Sequence, residues 1–237
     1  MTAEQTAAHL DVLREKGVVL LSGIFPKEPL AAMAQAAGAC LQAIAAGRCD
    51  PERYRFTPYS QSVLLGALRD YGVEDPMVPL ASLPDGLLSQ AMDSTVECKR
   101  EQSWIRKRFA PAHAPPAYHP NQWHQDGGLG VRFPEQPGAA MPMTRLLTCW
   151  LPLHACGADS PGLEFIRRPL DSLLHYTELT DEKLRSRFAP EDFWTPALEP
   201  GDGILFLNGT LHRTHVRLEM QEDRLSAEYR FFPATEE

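Results

Sequence analysis

The stretch PGDGILFLNGTLHRTHVR, residues 200–217, carries most of what the chain says about its architecture. A Pro-Gly-Asp turn opens it, an apolar run covers residues 203–207, Asn-Gly turns again, and residues 211–216 read as a second strand. Two short strands divided by glycine turns are the texture of a β core. That texture spreads outward from it. Strands are expected at residues 145–153, 162–166, 194–198 and 225–232, and CKREQSWIRKRFA, residues 98–110, has strand-like composition. PAHAPPAYHP, residues 111–120, is too rich in proline for a regular element and reads as a loop.

The N-terminal part has a different grain. Ala7, Leu10, Val12 and Leu13 lean toward helical spacing over residues 3–16, and GVVLLSG, residues 17–23, reads as a short buried strand. An alanine-rich run over residues 28–46 predicts a helix ended by Gly47, and short helices are expected at residues 61–70 and 85–92 among the prolines. A largely helical segment, 1–96, thus precedes a β-rich core, 97–237, in what reads as one domain. The expected class is mainly β with helices, a β-sandwich or jelly roll with the helices packed on one outer face.

Composition narrows the functional classes. The net charge of -8 arises from 31 acidic against 23 basic residues, with no Lys/Arg block to follow a nucleic acid or an anionic membrane. A small-molecule substrate is expected instead. Cys40, Cys49, Cys98, Cys149 and Cys156 are scattered, odd in number and free of any CxxC pair, which argues against a disulfide framework or a thiolate zinc site and for a reducing cytoplasm. The N-terminus lacks the pattern of a signal peptide, and no apolar run approaches the length of about 18 residues that a membrane helix needs. Oligomeric state and substrate identity are not legible here.

Chemistry concentrates in QWHQDGG, residues 122–128. Residues two apart on a strand share a face, so His124 and Asp126 would offer an imidazole nitrogen and a carboxylate oxygen to one point while Gln125 faces away. Such a pair alone more often decorates a surface loop. A single iron(II) in an oxygenase is held by two histidines and one carboxylate on one face, with other positions open, so a distal histidine is required. His212 and His215 are both available, and residues three apart on a strand face opposite sides. In EDRLSAEYRFF, residues 222–232, Arg224, Ser226, Glu228 and Arg230 form one face and Leu225, Ala227, Tyr229 and Phe231 the other. Arg224 is the earliest arginine on the polar face, 12 residues past His212, and a hairpin would bring it alongside. Arginine's fork suits the far carboxylate of a dicarboxylate cosubstrate. The selection is His124, Asp126 and His212 as catalytic metal ligands, with Arg224 as anchor and His215 set aside.

WHQD, LLTCWLPLHACGADSPGLEFI, PGDGILFLNGTLHRTHV and RLSAEYRF together resemble the phytanoyl-CoA dioxygenase-like family of iron(II)/2-oxoglutarate-dependent oxygenases. The resemblance implies a double-stranded β-helix, cupin-like, with iron(II) on His124, Asp126 and His212 and 2-oxoglutarate on Arg224. It further implies that Thr214 assists that arginine, that Gln125 touches the cosubstrate, and that Trp150 lies in the same pocket. The implied reaction uses O2, converts 2-oxoglutarate to succinate and CO2, and hydroxylates a C–H bond; the retained Asp126 argues against halogenation. Trp104, Arg106, Tyr118, Gln122 and Arg132, which flank the metal segment, are candidates for substrate contact. The alternative is a cupin-like metal-dependent lyase or isomerase, or a dioxygenase independent of 2-oxoglutarate, in which Arg224 is dispensable.

Overall fold

A computed structural model describes residues 2–57, 61–116, 118–135 and 140–234. Helix α1 (Ala3–Lys16) starts at Thr2, whose side chain accepts from Gln5 N while Gln5 caps in return, and it stops where Gly17 turns left-handed at φ 74°. Strand β1 (Val18–Leu21) and helix α2 (Lys27–Ala45) follow, then β2 (Ser62–Leu64), α3 (Leu87–Met92), β3 (Val96–Cys98) and β4 (Trp104–Arg108). The C-terminal part supplies β5 (Leu147–Pro152), β6 (Gly162–Ile166), α4 (Asp181–Arg187), β7 (Phe193–Trp194), β8 (Gly203–Leu207), β9 (His212–His215) and β10 (Arg224–Pro233).

These strands form two antiparallel sheets. The larger runs β1-β8-β5-β10-β4-β2, with β3 also on β10, and the smaller runs β7-β6-β9. Period-two alternation decides which side chain goes where. Val18, Trp150, Ile204 and Phe206 point from the large sheet into a core shared with Leu163 and Phe165 of the small one. Val19, Cys149, Leu205, Ala227 and Tyr229 point the other way, onto Leu10, Leu13, Leu30 and Met33 of α1 and α2. The architecture is therefore an open jelly-roll sandwich with helices on one outer face. No described helix is long and apolar enough to cross a membrane.

Several local expectations needed correcting. Residues 61–70 do not begin as a helix: Val63 pairs with Ile105 on the sheet edge, and only Leu65–Tyr71 coils, as a 3-10 helix. The strand expected at 194–198 shrinks to β7, with Leu198 making one bridge to Cys156. Helix α4 was not anticipated, although Thr180 accepts from Lys183 N and acids precede bases along it. Its Asp181 accepts from both Trp123 Nε1 and Arg213 Nη1, fixing α4 against β9. Residue 117 of the proline-rich loop lies outside the described residues.

Gly17 links the helical layer to the site. Its carbonyl accepts from Leu207 N and from the Thr210 hydroxyl, and a Cβ at Gly17 would stand 2.6 Å from Thr210 Oγ1. Gly17→Ala should destabilise the protein by at least about 1–2 kcal/mol, the usual left-handed penalty, read as a lower urea midpoint with an unchanged slope.

Candidate metal centre

His124 and His212 face each other across the rim of the small sheet. Each donates its backbone N–H to the other's carbonyl at 3.0 Å, and Thr214 N donates to Asn121 O alongside, tying the two segments together. Beyond His124 the chain turns, because Asp126–Gly128 coils as one 3-10 turn instead of continuing a strand. Strand alternation is thus not what aims Asp126. The turn swings its carboxylate back between the two imidazoles, leaving Oδ1 at 3.9 Å from His124 Nε2 and 3.8 Å from His212 Nε2.

Hydrogen bonds fix which atoms are left free. The Nδ1–H of His124 donates to Gln122 O at 2.7 Å, and that of His212 donates to Thr210 O at 3.0 Å, so each Nε2 keeps its lone pair. Asp126 Oδ2 accepts from the Thr148 hydroxyl at 2.6 Å, leaving Oδ1 to face the imidazoles. The three atoms lie within 4.8 Å of one another, and ligands about 2.1 Å from one ion stand about 3 Å apart at a right angle. A modest contraction closes the site. Two imidazoles and one carboxylate on one side match the donor set of a divalent first-row ion with open positions.

Electrostatics prepares the same arrangement. Burial pushes His124 down to about 4 and His212 opposes its protonation further, although its ring edge opens on a cavity. Burial would raise Asp126, but Arg230 and His212 outweigh it and hold the carboxyl below its ordinary range. Arg230 Nη2 lies 3.3 Å from Asp126 Oδ1 and 2.7 Å from Glu228 Oε1. Arg106 completes the row, donating from Nε and Nη2 to Glu228 at 2.7 and 2.9 Å.

Two cavities meet at His124. The outer one, about 470 Å³, has a charged wall of Arg106, Glu228 and Arg230 and an apolar wall that includes Phe133, Leu174 and Tyr176. The inner cleft carries Trp150, Thr214 and Arg224 behind His212. Arg224 is 1% exposed, its Nη1 donates to Gly162 O at 3.2 Å, and its Nε has no partner among the described groups. The Arg224 guanidinium rests 5.0 Å over the Trp150 ring. The inner cleft is narrow, with room of about 20 Å³.

The structure brings Arg224 beside His212 by a route other than the expected hairpin. His212 is on β9 of the small sheet and Arg224 on β10 of the large one, so they meet across the sandwich. His215 is outside the triad. Gln125 acts as a strut: Nε2 donates to Ser172 O and Gly209 O, and Oε1 accepts from Leu174 N, consuming its amide on backbone. Of the five residues expected to touch substrate, Arg106 lines the outer cavity and the other four do not. Trp104 lies beside Arg106, Tyr118 packs on Phe109, Gln122 bonds Pro120 O, and Arg132 stands past the glycine turn. Thr148, Glu228 and Arg230 were not assigned to the site from sequence. For Glu228 and Arg230 the signal was the polar face of β10, whereas Thr148 sits in an apolar run that gives none.

No family model and no curated protein matches this chain. Solved structures do. EctD from S. alaskensis with 2-oxoglutarate and 5-hydroxyectoine superposes with a TM-score of 0.69 at 19% identity, covering 98% of this chain and 76% of that one. The non-heme alpha ketoglutarate dependent carbocyclase SnoK from nogalamycin biosynthesis gives 0.65 at 15%, covering 99% and 85%. AviO1 from Streptomyces viridochromogenes Tue57 gives 0.67 at 14%, covering 98% and 96%. The chain has their fold.

Thr148→Val keeps the shape and deletes the bond to Asp126 Oδ2. Metal affinity by titration should fall roughly tenfold to a hundredfold, as for other partners of metal ligands. Acid has a signed effect on the metal-free protein. Below 6.5 the unfolded chain protonates His124, and the folded chain refuses that proton until about pH 4. Stability in urea should therefore drop across that window, and a His124→Gln variant should drop less steeply.

Proposed function

We propose that this chain is a non-haem iron(II)/2-oxoglutarate-dependent oxygenase that hydroxylates a C–H bond of a small-molecule metabolite. The observation that carries the reading is the pairing of a two-histidine, one-carboxylate face with a buried arginine whose Nε lacks a partner among the described residues. A metal site alone would suit many cupin-like enzymes. A guanidinium with no carboxylate partner among the described residues, behind that site and beside a threonine hydroxyl, suits an anion. The neighbour EctD, solved with bound Fe and with 2-oxoglutarate, and the alpha ketoglutarate dependent SnoK support the same chemistry on this fold.

When bound, iron(II) with 2-oxoglutarate and O2 supplies the decarboxylation to succinate and CO2 and the oxidising power to break a C–H bond. This chain's residues supply the rest. His124, Asp126 and His212 would hold the ion from one side, and Thr148 and Arg230 would keep the carboxylate oriented. Arg224 would bind the far carboxylate, with Thr214 assisting and Trp150 carrying the cation's face. The apolar wall of the outer cavity would exclude water from the reacting carbon, and the row Arg106-Glu228-Arg230 would meet the polar part of the substrate. Five free thiols support a reducing cytoplasm as the setting, and the chain reads as one domain. A carbocyclase among the neighbours favours ring closure as a second outcome at the same site.

Anaerobic addition of iron(II) and 2-oxoglutarate should give a weak visible charge-transfer band that His124→Ala erases, and a metabolite panel should contain a compound that stimulates succinate release. Turnover without succinate, unaffected by Arg224→Gln, would establish the cupin-like lyase, isomerase or 2-oxoglutarate-independent reading instead.

A further inference from the structure

The outer cavity beside His124 has two unlike walls, and on the charged one the hydrogen-bonding groups are unequally spent. Glu228 is answered twice: Oε1 accepts from Arg106 Nη2 at 2.9 Å and from Arg230 Nη2 at 2.7 Å, and Oε2 accepts from Arg106 Nε at 2.7 Å. Asp126, the other carboxylate among the described lining residues, is turned to Thr148, Arg230 and the imidazoles. Two cations thus share one carboxylate on this wall. The arginines keep donors in reserve, since Nη1 of both and the buried Nε of Arg230 have no partner among the described residues. Across the cavity stand Leu129, Leu174, Leu179 and Phe133, whose ring meets Tyr176 edge-on at 6.2 Å.

We propose that the substrate of the outer cavity is an amphipathic acid, with a carboxylate head held by Arg106 and Arg230 and an apolar body laid against Phe133 and the leucines. The inference rests on the oxygenase reading above and names the class of molecule which that reading leaves open. A carboxylate accepts charge-assisted bonds from the donors that the two guanidinium groups hold in reserve. An ammonium head would meet two cations and no carboxylate free to pair with it, and repulsion in a partly buried site is stronger than in water. A hydroxyl head can accept the same donors but brings no charge. The apolar wall contributes in proportion to the area it covers and is indifferent to the head. Head and body are therefore read by different residues.

The test uses three probes that share one body: 4-phenylbutyrate, 4-phenylbutan-1-ol and 4-phenylbutylamine. They are titrated calorimetrically, without oxygen, into protein loaded with iron(II) and 2-oxoglutarate and into metal-free protein. On the loaded protein the acid should bind roughly tenfold to a hundredfold tighter than the alcohol, the worth of charge-assisted hydrogen bonds, and the amine should bind most weakly. Arg106→Gln should remove the acid's advantage over the alcohol, whereas Phe133→Ala should weaken both by the same factor. The ranking of heads on the wild type carries the test if the glutamine variant fails to fold. Equal affinity for the three, a preference for the amine, or no binding of the acid at millimolar concentration overturns the proposal. So does acid binding that erases the charge-transfer band of bound 2-oxoglutarate, because the acid then sits on the metal. Absence of that band from the start, with the acid still preferred over the alcohol on metal-free protein, overturns the oxygenase reading alone.

Discussion

Asp126 is a charge held inside a protein, and the rest of the site follows from keeping it there. A buried carboxylate is tolerated only when hydrogen bonds and cations replace the water it has lost. Thr148 of β5 and Arg230 of β10 provide them from the large sheet, while the residue itself is delivered by the turn after the small sheet's rim. One carboxylate thereby spans the sandwich. Its second oxygen is left facing two imidazoles whose other nitrogens are committed to backbone carbonyls. The alignment exists before any ion arrives, which reduces the reorganisation that binding would demand.

The large sheet separates two kinds of chemistry by alternation alone. On β10, Leu225, Ala227, Tyr229 and Phe231 join the core beneath the helices, and Tyr229 also donates its buried hydroxyl to Pro76 O at 2.7 Å. The intervening residues Arg224, Glu228 and Arg230 face the cavities, and none is solvated enough to stand alone. Their answer is mutual: Arg106, Glu228, Arg230 and Asp126 share protons and charge along one row. Burial alone would raise Glu228, yet Arg106 and Arg230 hold it well below the usual carboxylate range, so the row stays ionised. Arg224 stands outside the row, with Nη1 donating to Gly162 O and its guanidinium over the Trp150 ring.

Much of this was legible because short-range rules wrote it. The alternation in RLSAEYRF, the turns around GILFL and the HxD pair each depend on a few neighbours in the chain, and each survived folding as a recognisable feature. Reasoning failed where a distant partner overruled local preference. Residues 62–64 became a strand because β4 offered a free edge to pair with, and Asp126 left strand geometry because Gly127 and Gly128 permit a turn there. The hairpin placing Arg224 beside His212 was the wrong mechanism, since two sheets facing each other bring the residues together more directly than neighbouring strands would.

The sequence by itself determined the inventory: which residues can bind a divalent ion, which face of each strand is polar, and that helices precede a β core. Those properties are set by residue type and by periods of two or 3.6. Tertiary structure alone decided the assignments between elements. That Thr148 in an apolar run supports Asp126, that Gln125 is spent on backbone, and that Arg108 stands opposite Arg224 depend on strand register and sheet facing. Such pairings join residues far apart in sequence, and no local pattern encodes the distance between them.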